Sequence, residues 1–376
     1  MSASSVKWVK IGSYIEQYFV RNSDGLYGES DAIGVNIEKE ILPMRGNISE
    51  KDFTNFYLVP PGSFAYNPRG SRKLGLGYNA TPNTYIITFN DVVFRIKPSA
   101  ASIIIPEYLF LYLCRKEWDR KAEYLSWGSS TEVFSWETLC DVEIPLPSIE
   151  VQQELVDTYN GLKALAEQNE ALIEPLSKAC EAFIVDCKTK YPEVELGEYI
   201  ELCDERNSDG KYTLDDVRGI STDKKFISTK ANMDGVSLTS YKVVNPNEFA
   251  YVADTSRRGD KIALALNSTS SAVLISSIYT AFRSKDIDKL LPGYLYLILS
   301  RSEFDRYSRF NSWGSARETF DWSELCRVRI PLPPIEEQRS IVNIYTCLEE
   351  AKKIASEARE KLKTLCPALV QRAANS

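Results

Sequence analysis

Two stretches of this chain carry the residue types that grip a polyanion. One is Tyr66-Asn67-Pro68-Arg69-Gly70-Ser71-Arg72-Lys73. The other, 185 residues later, runs from Tyr251 to Lys261 and holds Ser256, Arg257 and Arg258. Arginine offers a planar fork of donors that fits phosphates and guanine edges, and serine hydroxyls fit phosphate oxygens. One basic loop with an aromatic residue is ordinarily solvated surface, but recurrence at an equivalent position favours a shared task. Arg21-Asn22 and Arg206-Asn207 form a weaker pair of candidates, because the Asn-Ser-Asp-Gly that each opens is also good turn chemistry. Trp127-Gly128-Ser129 and Trp313-Gly314-Ser315 are a third, with Arg317 beside the second. They read as loops entering a short helix, where Ser129 or Ser315 and the first amides either hold an anion or simply cap the helix.

Nothing comparable supports catalysis. The chain has no histidine, which removes Ser-His-Asp and Cys-His mechanisms and most zinc sites. It has no Gly-x4-Gly-Lys-Ser/Thr loop for nucleoside triphosphates. Asn67-Pro68-Arg69 and Asn245-Pro246-Asn247 fall short of an amino-methyltransferase motif and read as turns. A recognition protein, not an enzyme, is the expectation. Eight cysteines without CxxC spacing, and a start at Met1 with no apolar leader, predict reduced thiols and a cytoplasmic location. The longest apolar run, near Ile103 to Cys114, is too short for a membrane span.

The elements that must position these loops are duplicated. Sixteen of the 27 positions in 127–153 are identical to 313–339, where chance gives roughly two. The repeat reaches upstream: Ile11-Gly12 matches Leu196-Gly197, and Phe64-Ala65-Tyr66 matches Phe249-Ala250-Tyr251. The chain therefore reads as α+β, with globular parts at 1–146 and 192–332, each followed by a helical part at 147–191 and 333–376. Tyr85–Phe89, Val92–Ile96 and 272–279 read as strands from their β-branched and aromatic content. Pro106 and Pro292 each open an apolar helical pattern. Trp136, Trp322, Leu139, Leu325, Cys140 and Cys326 read as core.

The helical parts carry seams. Leu155, Tyr159, Leu162, Ala166, Asn169, Ile173, Leu176, Cys180, Phe183 and Cys187 alternate spacings of four and three, as in a heptad. The second seam is Leu348, Ala351, Ala355, Ala358, Leu362, Leu365 and Leu369. Pro175 and Pro367 are expected to kink or break them. Two separate surface helices would satisfy the pattern. Pairing satisfies it better, and connectivity then makes the helices antiparallel, with the globular parts at opposite ends of a ruler about 60 Å long. Such a pseudo-two-fold chain should bind something approximately two-fold.

Charge is a check on a DNA reading. Fifteen Lys and Arg stand against 17 Asp and Glu in 1–146, and 19 against 21 in 192–332, within a net charge of −7. Nucleic-acid binders usually have a strongly basic domain. Focused patches, and a partner that supplies phosphate contacts, would reconcile the two.

Ile144-Pro145-Leu146-Pro147 and Ile330-Pro331-Leu332-Pro333, each followed by Ile-Glu-x-Gln and a long helix, resemble the doubled boundary of type I restriction-modification specificity subunits. Ser256 to Leu266, Pro292 to Leu297, Glu303 to Tyr307, Gly314 to Glu318 and Phe320 to Trp322 continue the resemblance in the family's order. It implies target-recognition domains that each read half of a bipartite sequence in double-stranded DNA. It also implies helices that set the spacer and dock two methyltransferase subunits, through which motor-nuclease subunits join. S-adenosylmethionine, ATP and Mg would belong to those partners, with no cofactor on this chain. A methylation-only system and a protein-binding scaffold remain alternatives. The first copy departs from the pattern, because Trp127-Gly128-Ser129 lacks the Ala316-Arg317 pair of the second.

Overall fold

A computed structural model describes residues 7–46, 51–69, 73–126, 132–229, 231–233, 235–255, 261–315 and 317–375, with backbone alone after 364. The chain divides into two compact units, one of residues 1–168 and 354–376, the other of 169–353. The division falls inside both long helices, so each unit holds one globular part and a segment of each helix.

In the first unit an antiparallel four-stranded sheet runs in the order Ile15–Gln17, Val92–Ile96, Ser63–Tyr66, Leu76–Tyr78. One of its two inner strands, Ser63–Tyr66, is buried throughout. Short two-stranded pairings flank it: Tyr57–Val59 with Tyr85–Ile87, and Ile33–Val35 with Ile41–Pro43. Against the sheet lie α1 (Pro106–Leu113), α2 (Lys116–Tyr124) and α3 (Trp136–Asp141). Lys7–Lys10 pairs with Glu143–Leu146, and Pro147 then leads into α4 (Ile149–Lys190).

The second unit repeats every part. Its sheet is Ile200–Cys203, Thr280–Ser284, Phe249–Tyr251, Leu264–Leu266. Its helices are α5 (Pro292–Leu299), α6 (Ser302–Phe310) and α7 (Trp322–Cys326), and Glu193–Glu195 pairs with Arg329–Pro331 before α8 (Ile335–Asn375). Stacked rings repeat as well: Phe64 on Phe94 and Phe249 on Phe282, both at 4.8 Å. The mixed α and β architecture and the two proline-initiated helices match the expectation from sequence.

The boundary motif is a staple. Gln152, fully buried, donates through Nε2 to the carbonyls of Ile103 and Pro147 and accepts from the Ile105 amide, all at 2.9 Å. Gln338 does the same with Lys289, Pro333 and Leu291. Tyr108 and Tyr294 donate to the carbonyls of Pro145 and Pro331. A buried amide with its hydrogen-bonding groups filled by backbone fixes the angle at which each long helix leaves its domain.

The seam of α4 is visible in its burial. Leu155, Val156, Tyr159, Leu162, Ala166, Asn169, Ile173, Leu176, Ser177, Cys180, Phe183, Ile184 and Cys187 are buried or half-buried, between exposed neighbours. Leu155 and Tyr159 pack on the globular core of the first unit, and Phe183 packs on that of the second. On α8, Leu348, Ala351, Ala355 and Ala358 are buried and Leu362 is half-buried; the side chains of Leu365 and Leu369 lie outside the described residues. Within the second unit the two helix segments run antiparallel. Tyr191 Oη donates to Glu337 at 2.5 Å, while Cys180, Phe183 and Ile184 share a core with Ile341, Ile344 and Tyr345. Neither proline breaks its helix. Both α4 and α8 are continuous across Pro175 and Pro367, because the burial of a long seam outweighs one missing hydrogen bond.

Candidate nucleic-acid interface

The start of each basic loop meets the residues that follow the Trp-Gly-Ser segment in the same way in both globular parts, with Trp127, Gly128 and Ser129 themselves outside the described residues. Phe134 donates its amide to the Pro68 carbonyl, and Phe320 donates to the Ala253 carbonyl, each at 2.8 Å. One residue further along, Arg69 faces Val133 and Asp254 faces Thr319 in antiparallel bridges. In the second part Thr319 also bridges Trp313, so Asp254, Thr319 and Trp313 lie side by side. The buried Thr255 closes this end, its amide and hydroxyl both reaching the Glu318 carbonyl at 3.0 and 3.2 Å.

The far end of each basic loop is held by a buried ion pair. Lys224 Nζ donates to Asp305 Oδ1 at 2.5 Å and to the Ile262 carbonyl at 2.8 Å, and Asp305 also takes the Ile262 amide. Burial draws the Lys224 ammonium below the usual lysine range, while Asp305 pulls the other way. Lys39 repeats the arrangement, reaching Asp119 and the Leu74 carbonyl, both at 2.6 Å. Both lysines sit at hairpin tips with left-handed backbone, at φ 66° and 62°. The described ends of each loop are thus pinned to different elements.

The candidate residues separate into groups. Arg69, Lys73, Lys261, Ser315 and Arg317 are exposed on or beside these loops. Arg309 forms an ion pair with Glu318, while Arg317 next to that glutamate is exposed, as is Lys261 at the other end of the loop. Ser71, Arg72, Ser129, Ser256, Arg257 and Arg258 lie outside the described residues. Arg21 and Arg206 are exposed but tethered, Arg21 to Asn55 and across Tyr57, Arg206 to Asp204 and the Ser240 carbonyl.

Four expectations are corrected. Asn22 and Asn207 are not readers: both are buried, and each amide closes a turn. Asn22 donates to the carbonyls of Tyr27 and Phe53 and accepts from the Tyr27 amide; Asn207 does so with Tyr212 and Leu238. Tyr66 and Tyr251 are not readers either. Each is buried, edge-on to Phe134 or Phe320, with burial pushing its phenol far above the usual range.

The second Trp-Gly-Ser segment is also not the start of a helix, and the first, Trp127 to Ser129, lies outside the described residues. In the second part it makes a tight turn closed by Trp313 and Thr319, in which Gly314 holds φ at +147°. A Cβ there would lie 2.0 Å from the Arg317 carbonyl oxygen, so only glycine fits. The caps come later, with Ser135 accepting from the Thr138 amide ahead of α3 and Asp321 preceding α7. Cys140 and Cys326 are half-exposed instead of core; each backs onto a glycine, Gly12 or Gly197.

Residue type alone did not single out the Lys39–Asp119 and Lys224–Asp305 pairs or the glutamine staples. Their signal was present in the repeat, because all of them recur at offsets of 185 or 186. Among the described residues, no helix is long and apolar enough to cross a membrane.

Comparison with known proteins places the chain in a family. The model of the type I restriction modification DNA specificity domain matches twice, over residues 15–176 and 193–364. The chain is similar to the type I restriction-modification S subunit from M. genitalium, at TM-score 0.56 and 13% identity over 99% of this chain and 97% of that one. It is also similar to the HsdS subunit from Thermoanaerobacter tengcongensis, at TM-score 0.40 and 17% identity over 99% and 97%. A chain from a type I R-M system, solved to address complex assembly and conformational transition, matches at TM-score 0.34 and 18% identity over 100% and 98%. With both of its halves matched by that domain model and its fold shared with an S subunit, the chain belongs to the type I restriction-modification DNA specificity family.

Proposed function

We propose that this chain is the non-catalytic specificity subunit of a type I restriction-modification complex and reads a bipartite DNA target. Each globular part takes one half-site through its basic loop and its Trp-Gly-Ser segment. The long helices hold the two readers at a fixed spacing, dock two methyltransferase subunits, and through them admit motor-nuclease subunits. S-adenosylmethionine, ATP and Mg serve those partners.

The observation that carries the reading is the doubled junction. The same main-chain hydrogen bond, from Phe134 to Pro68 and from Phe320 to Ala253, joins the same two loops in both copies. The copies share a frame and differ in the side chains it presents: Arg69 stands where the second copy has Asp254. A shared frame with unlike side chains suits two related readers of two different half-sites. The modest acidity of each part is tolerable where methyltransferase subunits supply phosphate contacts.

The test is binding of the complex, reconstituted with its methyltransferase subunits, to duplexes in which either half-site is scrambled. Specific affinity should depend on both half-sites and fall steeply with salt. A scaffold for proteins would show neither behaviour.

A further inference from the structure

The helix that leads into each Trp-Gly-Ser segment ends on an outward aromatic ring. Tyr124 closes α2 and Phe310 closes α6; both are 79% exposed, while Trp118, Ala122, Phe304 and Ser308 of the same helices are buried. Three residues after Phe310, Trp313 is 64% exposed although its backbone is fixed in the turn with Thr319. Isolated exposed apolar side chains are ordinary. Here a phenyl and an indole stand three residues apart, on a turn whose neighbouring backbone at Asp254 leads directly into the second basic loop. Arg317, exposed, belongs to the same turn, which Asp254 also joins, and Lys261 is exposed at the far end of the basic loop. An aromatic ring closes the helix in the other copy too, and a tryptophan follows it at position 127.

We infer that Phe310 and Trp313 form an apolar contact with the DNA duplex beside the second basic loop, determining how tightly the second half-site is held. The inference rests on the DNA-reading proposal and adds residues that the basic loops do not include. The exposed Arg317 on the turn and the basic loop that begins after Asp254 favour a polyanionic partner, and DNA presents both parts of the match. Its phosphates meet Lys261 and Arg317, while deoxyribose faces and thymine methyls meet the rings. Both side chains stand on pinned backbone, so little order is lost on contact.

The experiment compares Phe310→Ala, Trp313→Ala and Trp313→Phe in the complex with its methyltransferase subunits. Affinity is measured across a salt series on two duplexes, one carrying both half-sites and one with the second scrambled. Each alanine variant should bind the intact duplex on the order of tenfold more weakly, with Trp313→Phe close to wild type. The slope of affinity against salt should stay unchanged, because no phosphate contact is lost. Affinity for the scrambled duplex should barely move. Wild-type affinity in both alanine variants would overturn the inference. So would loss of methyltransferase assembly, which would assign the rings to a protein partner. A wild-type complex indifferent to scrambling would instead overturn the underlying DNA reading.

Discussion

Lys224 and Asp305 meet at 2.5 Å with side chains only 6% and 10% exposed, and Lys39 and Asp119 repeat the contact at 2.6 Å in the other globular part. A buried ion pair is a poor source of net stability, since desolvation offsets most of its attraction. Its value here is positional. Lys224 sits at the tip of the hairpin formed by Arg218–Ile220 and Phe226–Ser228, Asp305 lies on α6, and both touch Ile262 at the end of the basic loop. Three elements are thereby fixed to one point at the described end of the loop.

Replacing one partner should therefore cost far more than replacing both. Asp305→Ala strands a buried ammonium and should destabilise the second unit by about 3–5 kcal/mol in chemical denaturation. Lys224→Met with Asp305→Leu should recover most of that loss, yet bind DNA bearing the second half-site more weakly. Equal stability losses in the single and double variants would contradict the positional role.

The glutamine staples make a second prediction. Gln338→Ala removes three hydrogen bonds and leaves the Leu291 amide and the Lys289 and Pro333 carbonyls without that partner. The cost should be roughly 2–4 kcal/mol, because stranded buried groups cost more than the bonds themselves contribute. Gln152→Ala should do the same in the first unit. Unchanged denaturation midpoints would show that water replaces the side chain freely.

Gly12 and Gly197 allow the third. A Cβ on Gly12 would lie 2.6 Å from the Cys140 Cβ and 2.8 Å from its carbonyl oxygen; on Gly197 it would lie 2.8 Å from the Cys326 Cβ. Gly12→Ala should cost about 1–3 kcal/mol as overpacking. Pairing it with Cys140→Gly should restore part of the loss, and the absence of any rescue would place the strain elsewhere.

What could be read from the sequence divides along physical lines. The seam of α4 was legible because burial of a long helix imposes a period that survives substitution. The duplicated halves and the α+β class were legible for the same reason. Asn22 and Tyr66 were misread because residue type does not say where a polar group points: an asparagine that closes a turn and one that reads a base are the same letter. The Lys39–Asp119 pair was missed because 80 residues separate its members, and only the fold brings them together. Pro175 does not break its helix, because local propensity yields to tertiary packing.

These corrections give the candidate site residues separable phenotypes. Asn207→Ala should lower stability by roughly 1–3 kcal/mol through its stranded backbone partners. Replacing Arg257 and Arg258 by Ala should leave stability and helix pairing intact while abolishing specific binding, at about 1–3 kcal/mol for each base pair read. Thermal denaturation alongside DNA affinity tells the two apart. Loss of stability in the arginine variant would mean the loop is structural.

The most direct measurement is a single-molecule methylation profile of the native host with and without this gene. The account predicts a bipartite N6-methyladenine motif, two distinct short half-sites around an unread spacer, that disappears on deletion. It should also disappear in the chain carrying Arg257→Ala and Arg258→Ala. A methylation profile identical in the presence and absence of the gene, with methyltransferase subunits expressed, would contradict it.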